Sequence, residues 1–299
     1  MFENLAVLLG RHVRLRGTGR LLSALYPCRR DSPRYVQGVR SRADGLKIKV
    51  DTREHIDWQM VFLGSYEPHL AGIFAGLGGA GSVVADIGAN VGAHTLTMAR
   101  QVGTEGRVLA FEPNPTVRRK LETNISLNGL NCVEIFECAL GDRQTQMKLR
   151  VPRSDTPEAS NSGLSSLLAL DTPHDLVDVL VQPFDSVIES LSLDRLDLIK
   201  IDVQGFEQRV LQGMGGVLQR FSPAIVFEYE DWAWSLSGSH WSVVESLLFG
   251  GGYRLWRIAT AGNRARLAEL REGSQPGGHL EVLALKRNDP RLAMAEQAV

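Results

Sequence analysis

Apolar residues first recur at helical spacing over residues 1–30. Leu21, Leu22 and Leu25 can bury one face there while Arg11, Arg14, Arg16 and Arg20 stay in water. A solvated face is the expected place for those arginines, and contact with an acidic membrane surface is the alternative. Residues 34–41 and 46–51 alternate around Ala43-Asp44-Gly45, which predicts a β-hairpin. Helical spacing resumes from about Glu54 to Phe74, and the glycines between Gly76 and Gly81 then break the chain.

Past that break, strand-like runs alternate with helical patterns, the mark of an α/β domain with a mostly parallel sheet. The predicted strands are Val83–Ile87, Val108–Glu112, Val133–Phe136, Leu198–Asp202 and Ile225–Glu230. Helices fit after Asn90 and over Thr116–Leu127, Phe206–Arg220 and His240–Phe249. Two late strands, Tyr253–Ile258 and Leu280–Lys286, flank a polar, glycine-rich excursion. Residues 152–174, rich in Ser, Asp, Pro and Thr, interrupt the rhythm as a mobile linker or a substrate lid. The pattern divides the chain into a helical and hairpin extension (1–75), a main α/β domain (76–288) and a frayed tail (289–299). It shows no internal repeat.

Composition narrows this picture only modestly. The chain has 299 residues, 43% of them hydrophobic and 22% charged, as in ordinary soluble domains. A net charge of −1 offers no global attraction for nucleic acid. No apolar run is long enough to cross a bilayer, so stable membrane insertion is not expected. Arginines interrupt the segment up to Tyr26, unlike the apolar centre of a signal peptide. Cys28, Cys132 and Cys138 are odd in number and lack metal-ligand spacing. A reduced, cytoplasmic protein without a metal site is the expectation.

The strongest chemical signal runs from Val83 through Asp86-Ile87-Gly88-Ala89-Asn90-Val91-Gly92. A buried strand meets a carboxylate, then a glycine turn, then a helix whose first N–H groups are free. Asn90 stands where a dinucleotide fingerprint has its middle glycine, and Ala93 fills the third position. A pyrophosphate wants positive potential. S-adenosylmethionine carries an ammonium, a carboxylate and a sulfonium instead. Asp86 suits the cationic groups and the helix N–H groups suit the carboxylate, with Asp86 as a mere loop cap the alternative.

A second signal, Phe111-Glu112-Pro113-Asn114-Pro115, ends the next strand with an acid placed to accept ribose hydroxyls. This supports a nucleoside without identifying it. Around Glu137-Cys138-Ala139-Leu140-Gly141-Asp142, small and apolar residues can sandwich an adenine, with Asp142 or a backbone N–H reading its edge, and a plain turn after a core strand is the alternative. Leu198-Ile199-Lys200-Ile201-Asp202-Val203-Gln204-Gly205-Phe206-Glu207 brings Asp202 to the carboxyl end of its strand, where ligands of open α/β sheets bind. Glu228 and Glu230 end the following strand. Crowded carboxylates raise one another's pKa and so suit a general base, or they bind a divalent ion. Glu207 reads equally as a site residue and as a helix-start acid. His94 can face the cofactor. His240, beside Trp232, Trp234 and Trp241, reads as a substrate wall or as packing.

Taken together, these residues resemble the FkbM family of methyltransferases. The matching pieces include Gly64-Ser65-Tyr66-Glu67-Pro68, the turn from Asp86 to Gly92, Phe111 to Pro115, Asn124, Asn128, Ala139-Leu140-Gly141, Pro183-Phe184-Asp185-Ser186 and Ile199 to Glu207. The resemblance covers about residues 60–230. It implies a Rossmann-like class I methyltransferase fold with a seven-stranded sheet whose last two strands form an antiparallel hairpin. It also implies O-methylation of a hydroxyl on a sugar, glycolipid, polyketide or related secondary metabolite, and it places Glu67 with the cofactor pocket. One departure is Gln204, where the family commonly has Glu, which disfavours a metal through that position. The long insert at 152–174 is another.

The resulting expectation is an S-adenosylmethionine-dependent enzyme acting on a small-molecule or glycan acceptor. Glu112 holds the ribose. Asp86, Gly88 and Asn90 shape the methionine pocket, and Glu67, His94 and Ala139 complete the cofactor site. Asp202 is the preferred general base, Glu228 the second choice. A divalent metal is compatible with the reading but not predicted, and so is homo-oligomerisation. A nicotinamide-dependent oxidoreductase and a non-catalytic scaffold that kept the fold are the rival readings.

Overall fold

A computed structural model describes residues 2–12, 18–29, 31–152, 165–168, 174–261 and 264–293. Two helices, α1 (Phe2–His12) and α2 (Thr18–Leu25), precede a hairpin of β1 (Gln37–Ser41) and β2 (Lys47–Asp51). Helices α1 and α2, strand β2 and α3 (His55–Phe62) share an apolar cluster that includes Leu22, Ile48, Trp58 and Phe62. That cluster reaches Val91, Ala93 and Val117, so the extension is packed onto the main domain rather than tethered to it.

One helix was expected from Glu54 to Phe74, but the chain forms α3 and a separate α4 (Pro68–Leu77). Pro68 is the reason. It has no N–H to donate, and it fits the first turn of a new helix better than the interior of an old one. Glu67 before it takes a left-handed conformation with φ 42°.

The main domain continues with β3 (Val83–Ile87), α5 (Ala93–Val102), β4 (Arg107–Phe111), α6 (Pro115–Leu127) and β5 (Val133–Phe136). Three strands follow, β6 (Ala139–Leu140), β7 (Thr145–Pro152) and β8 (His174–Gln182), then α7 (Phe184–Glu189) and β9 (Leu198–Ile201). Next come α8 (Glu207–Gln212), α9 (Gly215–Arg220), β10 (Ala224–Glu230), α10 (Asp231–Ser237) and α11 (Trp241–Gly250). The described fold closes with β11 (Tyr253–Ala261), β12 (Arg264–Leu270) and β13 (His279–Lys286).

Among the described residues the main sheet has eight strands, in the order β12-β11-β13-β10-β9-β3-β4-β5. The run from β10 to β5 is parallel, and β13, β11 and β12 join antiparallel. The mostly parallel sheet and its antiparallel end follow the expectation. The eighth strand, β12, does not: the polar excursion starts as a strand that buries Leu267 against the helix α4 side of the sheet. The single helix expected over Phe206–Arg220 is also divided. A Cβ on Gly213 would lie 1.9 Å from the carbonyl oxygen of Gly141, so the chain turns there to let the two backbones meet.

A small second sheet, β6-β8-β7, was not anticipated. β7 and β8 pair antiparallel from Thr145↔Val181 to Pro152↔His174, so the Ser- and Pro-rich stretch is the connection of a long hairpin. Residues 153–164 and 169–173 of that stretch, and 294–299 of the expected tail, lie outside the described residues.

Polar groups fasten the extension to the α/β core. Asn124 on α6 and Asn128 at its C-cap lie one turn apart. Asn124 Oδ1 accepts from Lys49 N–H and Asn128 Oδ1 from Lys47 N–H, both at 2.8 Å. Their amides therefore occupy the free edge of β2 as a neighbouring strand would. The buried Arg42 guanidinium donates to the carbonyl of Ala93 and the hydroxyl of Thr97, each at 2.7 Å.

Candidate active site

Strands β3, β4 and β9 all end on one side of the sheet, and a cleft opens there with about 1070 Å³ of space, its open mouth included. Gly88, Asn90, His94, Glu112, Ala139 and Asp202 line it. These six residues were singled out from distant parts of the chain, and the fold brings them to one place. The other three, Asp86, Glu67 and Glu228, do not line the cleft. Each instead touches a residue that does.

The glycine turn is squeezed between strands. A Cβ on Gly88 would lie 1.8 Å from the carbonyl oxygen of Asp202, and its φ of +81° disfavours other residues as well. Asn90 adopts φ 50° and its side chain accepts from Val91 N–H at 2.8 Å. The first turn of α5 follows, with N–H groups that no carbonyl of the helix can reach.

Glu112 follows β4 directly and is buried. Its Oε2 accepts from Asn90 N–H at 2.9 Å and its Oε1 from Asn114 N–H at 2.8 Å. Each oxygen keeps a further lone pair, so the carboxylate is oriented without being used up. Burial raises its pKa, the two N–H groups and then Lys200 and Arg118 pull it back, and it rests at about 7. Asn114 caps α6 by accepting from Thr116 N–H at 3.0 Å. Its amide donates to Ser165 Oγ at 3.1 Å, while Ser166 Oγ donates to the carbonyl of Gln204 at 3.2 Å. The described part of the insert thus spans the cleft from the β4 side to the β9 side.

Lys200 is the residue that reading the sequence missed. It sits inside the apolar run of β9, buried, where a charge persists only if paired. Its Nζ lies 3.3 Å from Asp86 Oδ1 and 3.5 Å from Asp202 Oδ2, and it donates to the carbonyl of Gly88 at 3.1 Å. Burial would strip its proton, but Asp86, Asp202 and Glu67 outweigh burial and hold its pKa above the ordinary lysine value. Asp86 is fully buried and also accepts from Thr95 Oγ1 at 2.6 Å. It acts on the cleft through Lys200.

Glu67 stands behind His94, whose Nε2 donates to Glu67 Oε2 at 2.9 Å. Burial would raise the pKa of Glu67, but the hydrogen bond and charge of His94, then Lys200 and Tyr66, take it down to about 2. Tyr66 lines the cleft with its ring 5.4 Å from that of His94. It entered the reading only as a neighbour of Glu67.

Glu228 follows the Ile201↔Phe227 pair of β9 and β10 by one residue, level with Asp202. The Gln204 amide bridges the two, with Nε2 at 3.3 Å from Asp202 Oδ1 and 3.4 Å from Glu228 Oε2. Burial, then Asp202, Glu207, Glu230 and Glu67, hold the Glu228 carboxyl well above the usual carboxylate range. It keeps its proton at neutral pH and is a poor base there.

Glu207 accepts from Val203 N–H, Gly205 N–H and Trp234 Nε1–H at 3.0, 3.1 and 2.9 Å. It therefore braces the loop that carries Asp202 and Gln204. Trp234 and Trp241 belong to the core, Trp232 is exposed, and His240 is exposed at the start of α11, away from the cleft. Asp142 pairs with Arg209 at 3.6 Å and is not a lining residue, whereas Cys138, Ala139 and Leu140 present an apolar wall.

The cleft can therefore take a nucleoside: an apolar wall for a base, Glu112 for its ribose, and a glycine turn with helix N–H groups for a polar tail. Residues 86–255 match the sequence profile of the methyltransferase FkbM domain. Methyltransferase 1 of Beauveria bassiana is 26% identical over 147 residues, covering 44% of this chain and 58% of that protein. The hexuronic acid methyltransferase AglP of Haloferax volcanii is also 26% identical over 147 residues, covering 48% and 54%. The chain thus spans little more than half the length of either relative. A crystal structure of methyltransferase FkbM from Methylobacillus flagellatus superposes with a TM-score of 0.43 at 16% identity, covering 76% of this chain and 52% of that one.

Proposed function

Because this chain belongs to the FkbM methyltransferase family, we propose that it transfers the methyl group of S-adenosylmethionine to a hydroxyl of a sugar, glycolipid, polyketide or related metabolite. The observation that carries this reading is the convergence of the Gly88 turn, Glu112 and Asp202 on one cleft. A hydroxyl acceptor also accords with the hexuronic acid named for the Haloferax volcanii relative, hydroxyls being a sugar's commonest nucleophile.

The residues present fit the cofactor. Glu112 has an acceptor lone pair left on each oxygen for ribose hydroxyls. Cys138, Ala139 and Leu140 offer an apolar bed for adenine, and Gly88, which lines the cleft, lets the turn pack directly on the Asp202 backbone. Asn90 and the first turn of α5 suit a carboxylate, while Glu67, ionised behind His94, supplies negative potential toward an ammonium or sulfonium. When bound, the sulfonium supplies an electrophilic methyl carbon.

Asp202 is then the group that accepts the proton of the acceptor hydroxyl. Lys200 and Gln204 orient it, and Glu228 beside it holds a proton of its own. A general base of this kind contributes ~10²–10⁴-fold. The test has two stages. Calorimetry should show binding of S-adenosylmethionine and S-adenosylhomocysteine and not of NAD(H); the reverse selectivity would end the methyl-transfer reading. Mass spectrometry of extracts incubated with isotopically labelled methyl donor then finds the acceptor. On it, Asp202→Asn should bind cofactor normally and lose turnover. A folded variant with an unchanged single-turnover rate across pH would remove Asp202 as the base.

A further inference from the structure

The N-terminal pair of helices carries a pattern that the cleft does not explain. Residues 1–40 hold eight arginines against two acids, Glu3 and Asp31, in a chain whose net charge is −1. Helix α2 buries Leu22 completely in the cluster it shares with α3, yet leaves Leu21 and Leu25 56% and 41% exposed. Leu21 and Leu25 are four residues apart and so share one flank of the helix. Helix α1 packs against α2 and α3 and buries Ala6, while its Leu8 is 55% and Leu9 37% exposed. Arg20, beside Leu21, is exposed, and so is Arg34 in the segment that follows α2.

Exposed leucines standing singly need no explanation. Four of them on two contacting helices, in the most basic stretch of the chain, do. We propose that the outer face of α1 and α2 docks on an anionic phospholipid surface. The leucines enter the boundary of headgroups and acyl chains, and Arg20 and Arg34 meet lipid phosphates. Charge complementarity decides for this occupant over a second copy of the chain, because pairing two such faces would bring like charges together. Docking is peripheral: no helix among the described residues is long and apolar enough to span a membrane. The first residues of α3, His55 and Ile56, line the cleft, so a membrane held by the helices that pack on α3 would lie near its mouth. The proposal is read from the surface alone and stands whether or not methyl transfer is the chemistry.

The test is sedimentation of the full chain with vesicles of phosphatidylcholine mixed with phosphatidylglycerol, against vesicles of phosphatidylcholine alone. We expect binding to the anionic vesicles that falls with added salt. Arg20→Gln and Arg34→Gln should each lower partitioning about fivefold. Leu21→Asn with Leu25→Asn should also lower it, with circular dichroism and thermal unfolding confirming that each variant folds. Equal binding to both vesicle types, no binding to either, or binding that the folded arginine and leucine variants leave unchanged would overturn the proposal. So would a dimer that the leucine variants dissociate, formed by a protein that ignores vesicles.

Discussion

Replacing Lys200 by Met tests the electrostatic logic of the site at its centre. Methionine keeps an unbranched stem of similar length, so packing within β9 changes little and the charge is what disappears. Asp86 would remain fully buried with the Thr95 hydroxyl as its donor to Oδ2, and its Oδ1 already lacks a hydrogen-bond partner apart from the nearby ammonium. Breaking a buried pair by removing one partner costs ~3–5 kcal/mol, because an uncompensated charge is left inside. Exposed pairs are worth only ~0–1 kcal/mol. The two regimes are far enough apart for urea denaturation to distinguish them, provided the slope stays constant.

The double variant Lys200→Met with Asp86→Asn sharpens the test. It removes both charges, so much of the lost stability should return. Turnover should not return, because Asp202 has lost the cation at 3.5 Å and the Gly88 carbonyl has lost its donor at 3.1 Å. A single variant within about 1 kcal/mol of the parent, where exposed pairs fall, would refute the reasoning. So would a double variant less stable than the single one.

Two further predictions concern the carboxylates of the cofactor site. Glu112→Ala should weaken S-adenosylhomocysteine binding by ~1.5–3 kcal/mol, the worth of hydrogen bonds to a charged acceptor. Since the Glu112 carboxyl titrates at about 7 and accepts ribose hydroxyls best when ionised, calorimetry should show affinity rising as pH passes upward through that value. Glu112→Gln should flatten the profile, and an unchanged profile would assign the dependence elsewhere. Glu67 carries the opposite sign. Its folded pKa of about 2 lies below the ordinary 4.5, so it contributes stability above 4.5 that is lost as pH falls toward 2. That interval corresponds to about 3 kcal/mol. Glu67→Gln should lower the melting temperature at neutral pH, with the gap to the parent closing in acid; a gap independent of pH would show that its ionisation does not matter.

The parts of the fold legible in the sequence were those in which local pattern and final environment agree. Val83–Ile87 and Leu198–Ile201 are near-continuous apolar runs because helices cover both faces of their sheet. Strands β7 and β12 lie at sheet margins and bury little more than Leu149 and Leu267, so their alternation is diluted by polar residues and reads as loop. Gly88 and Asn90 stood out because their left-handed backbone favours those residue types, and Glu112 and Asp202 because each is an acid directly after an apolar strand. Lys200 was overlooked although its signal was present, a lone cation within an apolar strand; what could not be seen was its partner. Asp86 lies more than a hundred positions away in sequence and becomes a neighbour only through the β3–β9 register, Asp86↔Lys200. Likewise Asn124 and Asn128 looked like helix-surface residues until β2 lay beside them.

Two carboxyls, Asp202 just past β9 and Glu228 within β10, show how position divides labour between similar groups. Asp202 and Glu228 are one residue past the same cross-strand pair and share one amide donor, Gln204. Their remaining surroundings differ. Asp202 has the Lys200 ammonium on its other oxygen and faces the cleft. Glu228 has His279 at 3.4 Å on the solvent side and is otherwise buried among Asp202, Glu207, Glu230 and Glu67. Like charges that close do not all ionise together, and the proton goes where no fixed cation competes for the site. That place is Glu228. Its protonation removes a negative charge from beside Asp202, the base of the proposed reaction. A glutamate at position 204 would bring a third carboxyl between them and a second negative charge beside Asp202. The neutral amide of Gln204 instead donates to both carboxyls.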